Sequence, residues 1–176
     1  MDPYVLETDR LRLRPYRAED LDALAAILGD PEMMRFYSRP FTREESAAWI
    51  HRNKERYDQE GLGLLAMELK DTEEFVGNCG PTRQTVEGTQ EIELGWHLAK
   101  HHWNKGLATE AAAACRDRCF DALGIDRLIA LVRPVNTPSA RVAEKIGMRI
   151  ERGAQYHHLL HRVYVVTPND VAPTAG

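Results

Sequence analysis

Residues Trp103 to Thr109 form a turn of small residues that leads directly into a helix-like sequence. The backbone N–H groups at the start of a helix have no partner within it, and the helix dipole places partial positive charge there. Such an N-terminus binds phosphate and pyrophosphate groups. No carboxylate lies between Leu98 and Thr109, and Lys100 and Lys105 add positive charge. The segment is a candidate anion site, although a tight turn before an ordinary core helix would have the same pattern.

The spacing of the turn argues against two common nucleotide-binding motifs. It matches neither the Gly-x-x-x-x-Gly-Lys-Ser/Thr of a P-loop nor the Gly-x-Gly-x-x-Gly of a dinucleotide fold. The sequence after the turn carries an apolar stripe at helical spacing. Its members are Leu107, Ala111, Cys115, Cys119 and Leu123. We predict a helix that starts at Gly106 and ends at Gly124, a usual place for glycine, with the two cysteines as core residues rather than a redox pair.

The amino-acid sequence of this turn resembles the coenzyme A loop of the GNAT superfamily of N-acetyltransferases, and in particular that of its RimJ/RimL-type branch. Residues 7–15, Glu-Thr-Asp-Arg-Leu-Arg-Leu-Arg-Pro, are similar to the opening strand of that branch. Residues 136–148, Asn-Thr-Pro-Ser-Ala-Arg-Val-Ala-Glu-Lys-Ile-Gly-Met, resemble its closing signature. The resemblance implies a mixed α/β fold, in which helices flank a central, mostly antiparallel and twisted sheet. It implies a single domain over residues 1–170, and we expect a disordered tail at 171–176.

The same resemblance implies an acetyl-CoA-dependent N-acetyltransferase and a set of cofactor-binding residues. The backbone around His97 and Leu98 would pair with the pantetheine arm. Asn136 would orient coenzyme A, although Asn before Thr-Pro-Ser is also a good helix N-cap. Arg141 could reach a phosphate or lie on the helix surface, and Ser139 could contact the thioester sulfur. The loop residues that would hold the pyrophosphate are Trp103, Asn104, Lys105, Gly106, Leu107, Ala108 and Thr109.

Acetyl transfer to an amine needs a base for the amine, a stabilised oxyanion and a proton for the leaving thiolate. Glu91, Glu93 and His97 share one face of a predicted strand. Glu93 falls where the branch often carries a glutamate that deprotonates the amine, usually through water. We interpret Glu91 and His97 as solvated side chains, with His97 as a second candidate base. Ala143 replaces the usual tyrosine acid, which leaves Ser139, a water or no acid at all.

The acceptor pocket is predicted between the first two helices, where the family commonly shapes it. Met34, Phe36 and Tyr37 lie in this segment, and adaptable methionines and aromatic rings suit a pocket wall. They suit a plug in the core equally well.

Three histidines near the last predicted strand raise the question of a metal site. They are His157, His158 and His161. In a strand His157 and His158 would point to opposite faces, so we expect no metal.

Composition limits the other partners. The 176 residues carry a net charge of −4, which gives no global field for nucleic acid. No apolar run is long enough to span a bilayer, and the N-terminus lacks a signal-peptide pattern. Three cysteines without a Cys-x-x-Cys motif indicate a reducing compartment, which we take to be the cytoplasm. A homodimer is compatible with the sequence.

Three functions are consistent with these observations. The first is acetylation of a protein or peptide N-terminal α-amine. The second is acetylation of a small-molecule amine, such as an amino sugar, a polyamine or an antibiotic. The third, prompted by Ala143, is an acyl-CoA-binding sensor that has lost catalysis.

Periodicity and capping signals predict the elements that must position these residues. Thr42 and Glu45 form a capping box for a helix that runs toward Tyr57. The other predicted helices cover residues 21–28 and 138–146, and the predicted strands cover 11–13, 62–69, 75–80, 91–98, 128–132 and 156–167.

Overall fold

The computed structural model describes residues 4–171, which contain eight strands, four α-helices and three short 3-10 helices. The strands are β1 (Leu6–Glu7), β2 (Leu11–Arg14), β3 (Leu65–Leu69), β4 (Phe75–Val86), β5 (Thr89–Leu98), β6 (Leu128–Val132), β7 (Arg149–Tyr156) and β8 (Leu159–Val166). The helices are α1 (Leu21–Leu28), α2 (Arg43–Glu60), α3 (Leu107–Asp121) and α4 (Thr137–Lys145). Of the tail expected at 171–176, Val171 is described and packs against the core, and residues 172–176 lie outside the described residues.

The strands form one sheet in the order β1-β2-β3-β4-β5-β6-β8-β7. Each neighbouring pair is antiparallel except β5 and β6, which are parallel. The mixed α/β fold with a mostly antiparallel sheet is therefore as predicted. Within residues 4–171, no helix is both long and apolar enough to cross a membrane.

The sheet has an apolar layer on each face because side chains alternate along its strands. On β3, Leu65 and Met67 contact the layer that includes α3 and α4. Ala66 and the preceding Leu64 contact the opposite layer, which includes α1 and α2. Helices on both faces thus hold the central strands in place.

The pairing of β5 and β6 is limited to one position. Glu93 lies opposite Ile129, and no further register pair joins these two strands. By contrast, β4 pairs with β5 from Val86 and Thr89 as far as Gly77 and Leu98. Residues 94–98 of β5 therefore keep an open edge on the side of β6, and a space opens there between the strands.

The predicted helix starts at Thr42 and Gly106 agree with the structure, which has these residues as the N-caps of α2 and α3. The Thr42 hydroxyl accepts the Glu45 N–H at 3.2 Å, and the Glu45 carboxylate accepts the Thr42 N–H at 2.8 Å. In α3 the helix ends at Asp121, three residues before Gly124, which follows in the left-handed conformation with φ of +64°.

The C-terminal part of the sheet differs from the prediction. A single strand was predicted over residues 156–167, but β7 and β8 form a hairpin there. His157 and His158 are the turn between the strands, with φ of +48° and +63°. β7 was missed because its sequence, Arg-Ile-Glu-Arg-Gly-Ala-Gln-Tyr, lacks a clear apolar alternation.

Candidate functional site

Two cavities meet where β5 and β6 separate. The first has a volume of about 530 Å³ and the second about 660 Å³. The residues that line both are Phe36, Tyr37, Trp96, His97, Asn136 and Ser139. A ligand in one cavity can therefore reach a ligand in the other at this junction.

The first cavity ends at the N-terminus of α3. Gly106 is the N-cap residue and has a φ of +79°, a conformation that glycine adopts without the strain of a side chain. No side chain within residues 4–171 caps this helix end, so the N–H groups of its first turn are free to bind an anion. The loop residues in the cavity wall are Trp103, Asn104, Gly106, Leu107, Ala108 and Thr109.

The charge around this helix end favours an anion. The wall of the first cavity contains Arg35, Arg141 and Lys145, and none of its described residues is a carboxylate. Glu110, in the first turn of α3, is directed elsewhere: its carboxylate accepts from Arg10 Nε at 2.7 Å and from Thr8 Oγ1 at 2.6 Å.

One predicted loop residue is not part of the wall. The Lys105 side chain lies 3.5 Å from His102 Nδ1, and the Lys105 carbonyl accepts from Arg10 at 2.9 Å. Its charge lies near the helix end, but the structure does not place it in the cavity wall. The guanidinium of Arg10 thus ties the loop to the opening strand of the sheet.

Of the two β5 residues expected to pair with the pantetheine arm, only one presents its backbone to the cavity. A Cβ at Gly77 of β4 would meet the His97 carbonyl at 2.1 Å, so that carbonyl faces β4. Because backbone groups alternate along a strand, those of Trp96 and Leu98 face the open edge. The Leu98 carbonyl accepts the Trp103 indole N–H at 2.8 Å, which fixes the loop against the strand.

Asn136 caps α4 at the junction of the cavities. Its side-chain oxygen accepts the Ser139 backbone N–H at 3.2 Å. Pro138 occupies the first turn, where a proline costs no backbone hydrogen bond. The Ser139 side chain lies in the wall of both cavities, whereas Ala143 is fully buried in the core.

Glu93 lies in the wall of the second cavity, where β5 and β6 separate. Burial raises the pKa of this carboxyl from 4.5 to about 7. The Gln84 side chain, the Leu131 backbone N–H and the charge of Arg56 act in the opposite direction. A carboxyl with this pKa can gain or lose a proton near neutral pH.

The interpretation of Glu91 as a solvated side chain is wrong. Glu91 is buried, and its carboxylate binds the Arg127 guanidinium through two contacts of 3.1 Å. Arg127 also binds Glu151 of β7. Glu91 therefore holds a structural ion pair, while Glu93 on the same face of the strand has no such partner among residues 4–171.

The interpretation of His97 as solvated is also wrong. Its ring is buried between Asn78 Oδ1, 2.9 Å from Nδ1, and the Tyr37 hydroxyl, 2.6 Å from Nε2. Burial lowers the pKa of His97 from 6.5 to about 4, so the ring is neutral at pH 7. Because the Asn78 oxygen can only accept, Nδ1 carries the proton and Nε2 accepts from Tyr37.

The Tyr37 hydroxyl lies at the junction of the cavities. Although 43% of the surface of Tyr37 is exposed, its hydroxyl is directed at the buried ring of His97. Burial of the hydroxyl and the nearby charge of Glu93 raise the pKa of Tyr37 above its usual value, so it keeps its proton. The sequence predicts Tyr37 in the wall of the acceptor pocket, but it does not indicate the hydrogen bond to His97, which lies 60 residues away.

The expectation for Met34 is wrong, because its side chain is in the core. Only 1% of its surface is exposed, and it packs with Leu24 and Leu28 of α1. Met33 lines the first cavity instead. Phe36 lies in the wall of both cavities.

The geometry expected for the C-terminal histidines also differs from the structure. His157 and His158 lie in the hairpin turn and not in a strand, so the alternation argument does not apply to them. His157 and His161 line the second cavity.

A separate group of three side chains lies near the first cavity loop. His101 Nε2 and His102 Nε2 lie 2.8 Å and 3.0 Å from the same oxygen of Glu74. Their spacing would allow a metal ion, but hydrogen bonds to Glu74 account for the arrangement.

Comparison with known proteins finds relatives over most of the chain. A family model described as an acetyltransferase (GNAT) domain matches residues 10–149. The chain is 38% identical over 148 residues to the uncharacterized protein YkkB of Bacillus subtilis (strain 168), which covers 84% of this chain and 86% of YkkB. It is 32% identical over 148 residues to the uncharacterized N-acetyltransferase p20 of Bacillus licheniformis, which covers 83% of both. The crystal structure of an acetyltransferase from Agrobacterium tumefaciens str. C58 matches with a TM-score of 0.82 and 30% identity, over 94% of this chain and 95% of that one.

The buried hydrogen bonds of His97 lead to a prediction for nitrogen NMR of its ring. We expect His97 to remain neutral with the proton on Nδ1 from pH 8 to pH 5.5, whereas free histidine titrates near pH 6.5. Asn78→Asp should raise the pKa of His97, because a carboxylate beside Nδ1 favours the charged ring. A His97 signal that titrates near pH 6.5 in the unaltered protein would contradict this assignment.

Proposed function

The chain belongs to the GNAT family of N-acetyltransferases, and we propose that it transfers the acetyl group of acetyl-CoA to an α-amine or an amine of similar acidity. The observation that carries this proposal is the pKa of Glu93, which burial raises to about 7 beside the junction of the two cavities. GNAT proteins use acetyl-CoA as their cosubstrate, and the first cavity has the features that such a molecule needs.

The first cavity fits the charged and the extended parts of acetyl-CoA. The free N–H groups at the start of α3 and the cations Arg35, Arg141 and Lys145 suit its phosphates. The open edge of β5, with the backbone of Trp96 and Leu98, suits the amide groups of an extended arm. Acetyl-CoA would supply the acetyl group as a thioester, a reactive form with a thiol as the leaving group.

Glu93 is proposed as the base for the acceptor amine. At pH 7 a carboxyl with a pKa of about 7 is about half ionised, so it can accept a proton from the amine directly or through a water. The pKa of an α-amine, about 7.7–8.0, exceeds that of the base by about one unit, but the pKa of a lysine, about 10.4, exceeds it by more than three. Deprotonation of a lysine by Glu93 would cost about 5 kcal/mol at this stage. Glu93 is thus matched to an α-amine.

Tyr37 is proposed as the group that gives a proton to the departing thiolate. Its hydroxyl lies in the wall of both cavities and keeps its proton at neutral pH. An ordinary tyrosine is a stronger acid than the Ser139 hydroxyl, the donor considered from the sequence, but burial and the charge of Glu93 raise the pKa of Tyr37 and reduce this advantage. In this structure the Tyr37 hydroxyl donates its hydrogen to His97 Nε2 at 2.6 Å, so the hydroxyl would have to rotate toward the sulfur to give this proton to the thiolate.

The size of the second cavity favours a second candidate, in which the acceptor is a small molecule. Its volume of about 660 Å³ is within the range of sites that enclose small ligands. The sensor alternative rested on the missing tyrosine at Ala143, and Tyr37 offers a tyrosine from another part of the chain.

The cellular setting proposed for this reaction is the reducing cytoplasm. Cys79, Cys115 and Cys119 are free and buried in the core. Burial raises the pKa of Cys119 to about 12, which keeps the thiol protonated and unreactive.

Substitution of Gly106 tests the binding of acetyl-CoA at α3. We expect Gly106→Val to weaken acetyl-CoA binding by about tenfold or more, since a side chain there would obstruct the approach to the helix N–H groups. Gly124→Val is the matched control, because Gly124 also has a positive φ of +64° but follows the other end of α3. Isothermal titration calorimetry on both folded variants measures the effect. Equal losses of affinity in the two variants would contradict the proposal.

Substitution of Glu93 tests its role as the base. We expect Glu93→Gln to lower kcat by about 10²–10⁴-fold while the affinity for acetyl-CoA is retained. In the unaltered enzyme kcat/KM should rise with pH up to about 7, as the carboxylate forms, and the variant should lose this dependence. The control Glu91→Gln weakens the pair with Arg127 and should lower the stability more than kcat. A loss of less than about threefold in Glu93→Gln would argue against a catalytic base at this position.

Competition between two peptides at pH 7 tests the class of amine. One peptide has a free N-terminus and no lysine, and the other has a blocked N-terminus and one lysine. We expect acetylation of the free N-terminus, because the pKa of Glu93 is close to that of an α-amine. Preference for the lysine peptide, measured by mass spectrometry of the products, would reject the proposal.

A further inference from the structure

The wall of the second cavity contains three arginines that lack a carboxylate partner. Arg52, Arg56 and Arg133 form no ion pair within the described part of the chain. Glu93 is the only carboxylate among the described residues of this wall. The second cavity therefore has an excess of positive charge, although the whole chain carries a net charge of −4.

Arginines elsewhere near α2 are paired. Arg39 binds Glu45 through contacts of 2.6 Å and 2.8 Å, and Arg43 binds Asp22. The absence of a partner is thus not general for arginines on this side of the molecule. Arg17 and Arg35 also form no ion pair among the described residues, but both are exposed. Arg56 and Arg133 are half-buried at the cavity, where an unpaired charge loses part of its hydration and gains nothing unless a ligand supplies the partner.

The three arginines approach the cavity from two sides. Arg52 and Arg56 are one helical turn apart on α2, so both face the cavity; Arg52 is exposed and Arg56 is half-buried. Arg133 follows β6 on the other side. Its Nε atom is buried and has no hydrogen-bond partner among the residues that the structure describes, while another of its nitrogens donates to the Phe36 carbonyl at 3.3 Å.

Arg56 is close enough to the proposed base to act on it. Its positive charge acts to lower the pKa of Glu93 and of Tyr156, which line the same cavity. An amine placed at Glu93 would therefore hold the rest of its molecule near a guanidinium. The group that a guanidinium binds best is an oxyanion, through paired N–H donors.

We propose that the acceptor carries a carboxylate or phosphate close to its reacting amine, and that Arg56 and Arg133 bind this group. The proposal rests on the proposed function, because it takes Glu93 as the point where the amine is held. It narrows the acceptor to an acidic amino compound or to a peptide whose first residues are acidic. Arg52, which is exposed, would attract such a molecule into the cavity.

Pairs of acceptors that differ only in charge test this proposal. Glutamic acid α-amide against glutamine α-amide places the anion on the residue that carries the amine. Alanyl-glutamate amide against alanyl-glutamine amide places it on the next residue, as in a peptide N-terminus. Phosphoserine α-amide against serine α-amide replaces the carboxylate by a phosphate. We expect kcat/KM to be about tenfold or more higher for the anionic member of at least one pair, and the pair with the largest ratio identifies the source.

Arginine variants test whether the preference for anionic acceptors depends on the arginines of the second cavity. Arg56→Gln and Arg133→Gln should each reduce the ratio within a pair to about threefold or less. Because a ratio compares two acceptors on one enzyme, it is independent of any effect of Arg56 on the base. Lys54→Gln is the control, since Lys54 is an exposed cation on α2 that does not line the cavity. Its ratio should equal that of the unaltered enzyme.

The outcomes separate this proposal from the proposed function. Equal acetylation of both members of every pair would overturn the proposal and leave the α-amine activity intact. If no member is acetylated, the proposed function fails for these acceptors. The proposal is then tested by isothermal titration calorimetry, which compares the affinities of the anionic and the neutral N-acetylated compounds in the presence of coenzyme A. Tighter binding of the anionic compounds, lost in Arg56→Gln, would support the proposal, and equal binding would overturn it.

Discussion

The single register pair between Glu93 and Ile129 is the constraint on which the site depends. Two parallel strands that paired further would satisfy the edge of β5 and close the space beside it. Since β5 and β6 separate after this pair, the edge of β5 is left open for an extended ligand. The same separation admits the start of α4, and with it Asn136 and Ser139, to the junction of the two cavities.

The charged residues in the walls of the two cavities differ, and each set suits the substrate proposed for that cavity. The first has cations, free helix N–H groups and no carboxylate in its described wall, so it suits a polyanion. The second has one carboxylate, and burial keeps its pKa near neutrality. Between them lies the neutral pair of Tyr37 and His97, whose hydrogen bond depends on the Asn78 amide. A neutral junction adds no repulsion to either substrate.

Features that depend on neighbouring residues could be predicted from the sequence. The Gly106 turn and the Asn136 cap each involve a few consecutive residues whose backbone preferences are known. Contacts between distant residues could not be predicted in this way. Glu91 meets Arg127 across 36 positions, and Tyr37 meets His97 across 60, so nothing in the local sequence distinguishes these buried groups from solvated ones. The position of Met34 could not be predicted for the same reason. Met34 lies in the core and not in the cavity wall because it packs against α1.

The six residues shared by both cavities have a consequence for how this protein could diversify. A change at Trp96 or Asn136 alters the environment of both substrates at once, and most such changes would harm the donor site as well as the acceptor site. The residues of α2 and of the β7–β8 hairpin that line the second cavity do not line the first. Acceptor preference can therefore drift through α2 and the hairpin while the donor site stays under separate selection. A lineage of such proteins would be expected to vary most in these two elements as it moves from one acceptor to another.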